Sequence, residues 1–181
     1  AAAYGGNIPR GMEPGLQEAA FFDPKREAWG FGAHLAVVRI DRETGAPKLE
    51  KLVLVDDCGV VINPMIVNGQ IHGGVAQGLG EAFREQMLFG ESGEPLTGTL
   101  MNYALPRAGD MPHITMGETV TPNPFNPLGV KGVGEAGCNG APPAVANAVM
   151  DALAPLGIDH IDMPYTAPKL WTAIREAEGK R

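Results

Sequence analysis

Residues 67–83, VNGQIHGGVAQGLGEAF, place an apolar side chain at every fourth position, Val67, Ile71, Val75, Leu79 and Phe83. That is the period of a helix burying one face. The same stretch carries Gly69, Gly73, Gly74, Gly78 and Gly80, each costing about 1 kcal/mol relative to alanine in a helix interior. A helix with that load has to bring its backbone close to something, either a second element of the fold or a bound ligand. Gln70, Gly73, Gly74 and Gln77 fall at i, i+3, i+4 and i+7, so two amides share a face floored with glycine. A carboxamide offers both donors and an acceptor without adding charge, which suits the edge of a large polar ligand. The chain holds 25 glycines and 16 prolines in 181 residues, well above the usual ~12%, and the glycines cluster within apolar sequence.

The second cluster is LGVKGVGEAGCNGAPP, residues 128–143. Its glycines keep the backbone bare, and exposed N–H groups in such a loop suit anionic groups. Lys131 adds a positive charge suited to a phosphate. At the centre is Glu135, flanked by small residues in a mostly apolar loop, where partial burial would favour general-base chemistry; the alternative is a solvated glutamate on a surface turn. Residues 132–137, GVGEAG, match the GxGxxG dinucleotide fingerprint, but the context it needs is a strand before and a helix through its last glycine. Here TPNPFNP precedes it, and CNGAPP is expected to delay the helix to about residue 142. No phosphate-binding GxxxxGK[ST] run occurs. His34, His72, His113 and His160 show no metal-ligand spacing, and Cys58 and Cys138 read as small buried residues.

Around these clusters, residues 31–40 and 49–55 alternate as two strands of a hairpin about the turn 41–47. Asn63 followed by Pro64 is a good N-cap and first helical position, starting a helix that runs to about residue 86. A second hairpin is expected near 90–94, a strand at 114–120, and helices at 142–154 and 168–177. Asp56–Asp57 and Glu81/Glu85 read as strand-end and helix-surface charges; His72 reads as a ligand contact or a satisfied structural histidine, and Tyr103 and Arg107 read as packing residues, with pocket lining as the alternative. The expected fold class is α+β, with β-hairpins alternating with glycine-rich helices. An extended lead-in, 1–28, precedes one domain, 29–181. The net charge of −7 argues against nonspecific nucleic-acid binding. No apolar run approaches the roughly 18 residues of a membrane span. The start shows no signal-peptide pattern, so a cytoplasmic location is expected; it also lacks an initiator Met, pointing to processing or to a piece of a longer chain.

Three ordered stretches, DDCGVVINPMIVNGQIHGGVAQGLGEAF, TGTLMNYALPRAGDMP and NPLGVKGVGEAGCNGAPPAVANAV, resemble the C-terminal part of the molybdopterin-binding large subunit of the molybdenum hydroxylases. This is the xanthine dehydrogenase/aldehyde oxidase family, and the wording is nearest its carbon monoxide dehydrogenase-like branch. The resemblance implies an oxidoreductase that inserts water-derived oxygen at a carbon centre of an aldehyde, an N-heterocycle or carbon monoxide. It implies molybdenum held by the dithiolene of molybdopterin, in the cytosine dinucleotide form, so that the protein supplies no metal ligand. Glu135 matches the family's general base. Gln77 matches the glutamine that contacts the molybdenum oxo group or the pterin. Gln70, Gly73, Gly74, Gly78, Lys131, Gly132, Val133 and Gly134 stand where cofactor contacts are expected. Implied partners are the remainder of the molybdenum subunit, a 2Fe-2S subunit and an FAD subunit. The family's large subunit is several times longer, so this chain is expected to be a split subunit or a fragment, inactive alone, with the substrate-selecting residues elsewhere. The competing reading is a cofactor-binding or assembly module without activity of its own.

Overall fold

The computed structural model describes Gly15 and residues 17–179. Of the expected lead-in, residues 1–14 and 16 lie outside the described residues, and 17–30 forms no regular structure. Strand β1 (Phe31–Ile40) and strand β2 (Pro47–Asp57) pair antiparallel from Phe31↔Asp57 to Ile40↔Pro47, with a bulge between Val37 and Val38. The hairpin turn is closed by Asp41, whose Oδ1 accepts the amides of Glu43 and Thr44. A third strand, β3 (Ile114–Glu118), adds to β2 in parallel, Leu52↔Ile114 through Asp56↔Glu118. The sheet is therefore mixed, in the order β1-β2-β3. The second hairpin is reduced to a single antiparallel bridge, Phe89↔Pro95.

Helix α1 (Pro64–Phe83) starts as its sequence requires, with the Asn63 side chain accepting the Ile66 amide at 3.2 Å. It ends three residues before the expected 86: Arg84 makes the last helical bond, to the Gly80 carbonyl at 2.9 Å, and the Glu85 amide turns back onto that same carbonyl at 2.8 Å instead of bonding Glu81. Helix α2 (Ala136–Leu153) corrects a larger expectation: it starts six residues before 142 and carries Pro142 and Pro143 within it. Both prolines forgo a helical donor, and glycine is a poor helix former, but tertiary packing overrides both. The Pro142 ring sits where a side chain on Gly78 would stand, 2.8 Å from its Cβ position. A Cβ on Gly137 would lie 2.6 Å from the Val75 nitrogen and collide with the Ile71 carbonyl, and one on Gly140 would lie 2.5 Å from His34 Nδ1. Helix α3 (Ala167–Gly179) completes the fold.

The core joins one face of the sheet to the three helices. Leu52 and Leu54 of β2 meet Ile71, Val75, Leu79 and Ala82 of α1, Val145, Val149 and Leu153 of α2, and Leu170 and Ile174 of α3. The stripe read from α1 is thus the buried face, with Val67 and Phe83 packed at its margins. The opposite face of the sheet leaves Phe31, Leu35, Val37 and Val55 exposed.

Candidate functional site

The five glycines of α1 divide into two groups. Gly74 and Gly78 face α2: a Cβ on Gly74 would lie 2.9 Å from the Cys138 nitrogen and 3.0 Å from Gly137 Cα. At these two positions the close helix crossing by itself gives a reason for glycine. Gly80 is pressed by Glu85 and by Pro106. Gly69 and Gly73 are exposed, and a Cβ on either would meet nothing within 4 Å. The same holds for Gly132, and a Cβ on Gly134 would approach only Gln70 Oε1, at 3.9 Å. One exposed face of α1 and the loop 132–134 therefore leave bare backbone beside the Gln70 carboxamide, without a packing reason among the described residues. Gln77 is exposed on the same helix two turns further on. The His72 Nδ1–H donates to the Asn68 carbonyl at 2.8 Å, so this nitrogen is satisfied by its own helix.

Glu135 is the N-cap residue of α2, with φ −105° and ψ 1°, and its side chain makes no capping bond. It lines a cavity of about 630 Å³ between the start of β1, the end of β2 and the first turns of α2. Trp29, Phe31, Cys58, Gly132, Gly134 and Asn139 also line it. Glu135 is itself exposed, which corrects the expectation of partial burial: the described residues leave its carboxylate open to the cavity and to solvent.

Below the lip lie groups that the sequence reading misplaced. Asp56 and Asp57 are 7% and 1% exposed, not surface strand-end charges. Asp56 Oδ1 pairs with His34 Nε2 at 3.3 Å, both side chains buried. Among the described residues the other atoms of that pair, Asp56 Oδ2 and His34 Nδ1, find no hydrogen-bond partner. Asp57 accepts the Gly59 amide at 2.9 Å, the Lys131 ammonium at 3.0 Å and the Thr119 hydroxyl at 3.2 Å. Burial pushes the Asp57 carboxyl up, but the Gly59 amide, Lys131, Thr121 and Thr119 outweigh it and hold the group well below the usual carboxylate range. Burial raises the Cys58 thiol, and the neighbouring carboxylates add to the rise, so it stays protonated. Lys131, expected to meet a phosphate, pairs with Asp57 and stands 4.7 Å over the Phe31 ring.

The strand alternation could have found the buried pair. Gly32, His34, Ala36, Val38 and Ile40 share one side of β1, and Leu52, Leu54 and Asp56 share the matching side of β2. The GxGxxG context fails for a narrower reason than expected. A helix does run through Gly137, but among the described residues the segment just before Gly132 pairs through the isolated bridge Gly59↔Val130 rather than in a strand.

A pterin-type cofactor needs directed hydrogen bonds and close backbone approach, and the open glycines beside Gln70 fit that need. Among the described residues no group of three or more His, Cys, Asp or Glu could hold a metal ion. The comparisons with known proteins bear on the family. The family model for the molybdopterin cofactor-binding domain matches residues 1–112. The carbon monoxide dehydrogenase large chain of Hydrogenophaga pseudoflava is 45% identical over 168 residues, 93% of this chain and 21% of that protein. The nicotine 6-hydroxylase large subunit of Paenarthrobacter nicotinovorans is 41% identical over 167 residues, 92% of this chain and 20% of that protein. The Cu,Mo-CO dehydrogenase structure in its carbon monoxide-reduced state superposes with a TM-score of 0.88 at 39% identity, covering 98% of this chain and 22% of that one. Quinoline 2-oxidoreductase from Pseudomonas putida 86 gives 0.87 at 40% identity, covering 97% and 22%. The chain spans about a fifth of the length of these relatives. With its mixed sheet, its glycine-bared helix face and these matches, the chain belongs to the molybdopterin cofactor-binding domain family and is akin to the large subunits of the carbon monoxide dehydrogenase-like molybdenum hydroxylases.

Proposed function

We propose that this chain supplies the catalytic base and one wall of the cofactor site of a molybdenum-dependent hydroxylase. The observation that carries the reading is the placement of Glu135. Its carboxylate opens onto a cavity of about 630 Å³, beside bare backbone at Gly132 and Gly134 and across Gly134 from Gln70. The backbone of Gly73 and of Gly132–Gly134, with the Gln70 and Gln77 carboxamides, would hold molybdopterin in its cytosine dinucleotide form. When bound, that group supplies a two-electron acceptor next to the substrate carbon.

Glu135 accepts the proton released as a water-derived oxygen bonds to the carbon of an aldehyde, an N-heterocycle or carbon monoxide. It stands at the N-cap position of α2, with its side chain not engaged in capping the helix. Lys131, Val133, Gly74 and Gly78 serve by position: Lys131 through its ion pair, Val133 by packing on the core, and the two glycines by admitting α2. Residues 29–181 form the C-terminal molybdopterin-binding domain, with 1–28 as its lead-in. The exposed apolar side chains of β1 and β2 support contact with the remainder of the molybdenum subunit. A 2Fe-2S subunit and an FAD subunit would carry the electrons onward, in the cytoplasm. Among the described residues no helix is long and apolar enough to cross a membrane.

The test is Glu135→Gln in the assembled enzyme, scored as turnover per bound molybdenum. A carboxamide of nearly the same shape cannot take the proton, so turnover falls by at least about 100-fold while molybdenum content stays level. Turnover retained at the same metal content removes Glu135 as the base.

A further inference from the structure

Lys131 begins the loop that presents Glu135, and it is held at three levels. Its side chain pairs with Asp57 and stands over Phe31, with both members of the ion pair buried. Its amide donates to the Cys58 carbonyl at 2.8 Å. Just before it, the Val60 amide donates to the Gly129 carbonyl at 3.0 Å, and Gly59 bridges Val130. Gly59 and Gly129 both lie near φ +70°, and a Cβ on Gly59 would strike the Gly129 carbonyl, so this crossing of two backbone segments requires glycine. Asp57 in turn is fixed from a third element by the Thr119 hydroxyl, just beyond β3.

Beyond Lys131 the restraint thins. Among the described residues a Cβ on Gly132 would meet nothing within 4 Å and one on Gly134 only Gln70 Oε1, at 3.9 Å, while Val133 between them packs on the core. Three residues thus separate the ion pair from the carboxylate at the start of α2, and the position of Glu135 depends on both ends of that span.

We propose that Asp57 and Lys131 form a positioning pair, whose buried ion pair anchors the span 132–134 and so sets where the Glu135 carboxylate stands in the cavity. The proposal rests on Glu135 being the base, and it assigns Lys131 to the loop rather than to a cofactor phosphate. A displacement of the base by about 1 Å can cost 100-fold in rate, so an anchor of this kind acts on turnover more than on affinity.

The experiment uses the assembled, cofactor-loaded enzyme carrying Lys131→Met, Asp57→Asn, Lys131→Arg or Thr119→Val. Four quantities are read: molybdenum content, kcat per molybdenum, KM, and hydrogen exchange of the segment 128–136. The expected result is that Lys131→Met and Asp57→Asn both keep their molybdenum, lose about 100-fold in kcat with little change in KM, and exchange faster over that segment. Lys131→Arg, which keeps the charge, recovers part of the loss. If either severe variant fails to assemble, Thr119→Val, which removes one hydrogen bond to Asp57, shows the same changes at smaller size. Loss of molybdenum in Lys131→Met but not in Asp57→Asn overturns the proposal in favour of a phosphate contact. Unchanged kcat per molybdenum with only lowered stability overturns it in favour of simple packing. Failure of the base assignment is separable. If Glu135→Gln retains turnover, the catalytic part falls, whereas unchanged exchange in Lys131→Met overturns the anchor itself.

Discussion

The two kinds of glycine in α1 and α2 predict opposite outcomes for the same substitution. At Gly137 a methyl group would stand 2.6 Å from the Val75 nitrogen and on the Ile71 carbonyl. Both are backbone atoms of a packed helix and cannot turn aside. Restoring ordinary contact at 3.5 Å or more means parting α1 from α2 by about 1 Å. Overpacking of this kind costs about 1–3 kcal/mol, occasionally more. The backbone gain of alanine over glycine in a helix returns at most about 1 kcal/mol, and Gly137→Ala loses about 2 kcal/mol. A Cβ on Gly73 would meet nothing within 4 Å among the described residues, so only the propensity term acts, and Gly73→Ala gains up to about 1 kcal/mol. Urea unfolding followed by far-ultraviolet circular dichroism, at constant denaturant slope, measures the gap of about 3 kcal/mol between the two variants. A neutral Gly137→Ala would refute the close crossing. The same Gly73→Ala chain, assembled with its complement, should bind less molybdopterin because the methyl occupies the cradle. Full cofactor content would refute the role given to the open glycines.

Two further outcomes follow from the caps and charges. The Asp57 carboxyl is held below its unfolded value of about 3.9 by Gly59, Lys131, Thr121 and Thr119 against the cost of burial, so its contribution to stability is full above that value and is lost as pH falls through the folded pKa. Asp57→Asn should therefore cost about 3 kcal/mol near neutrality, and denaturation curves should show the gap to the parent chain closing below about pH 4; a gap independent of pH counts against the ion pair. Asn63→Ala removes the 3.2 Å bond to the Ile66 amide and should lower stability by about 1 kcal/mol, read by thermal unfolding, and no shift would mean that Pro64 alone starts the helix.

Much of this fold was legible because local signals agreed with the tertiary outcome. The β1–β2 hairpin, the Asn63 cap and the stripe of Ile71, Val75 and Leu79 follow from alternation, capping chemistry and helical period. What was not legible came from contacts between distant segments. Pro142 and Gly140 lower helix propensity wherever they stand, and only Gly78 and the His34 ring explain why α2 continues through them. The buried state of Asp57 depends on Lys131, 74 residues away, and no local pattern announces that pairing. The second cluster was singled out by its glycines and by Glu135, and the structure does bring Glu135, Gly132 and Gly134 to one cavity. It also sorts the first cluster, giving Gly74 and Gly78 to packing and leaving Gly69 and Gly73 open, a division that spacing alone cannot make.

The central claim is that the open glycines and Gln70 form one wall of a molybdopterin site completed by further polypeptide. Metal analysis and mass spectrometry of bound pterin test it most directly, comparing this chain alone with the chain co-expressed beside the remaining four-fifths of its relatives' length. Molybdenum and a cytosine dinucleotide in the co-expressed sample only is the predicted result. Absence of both from the co-expressed sample, or full retention by this chain alone, would contradict it.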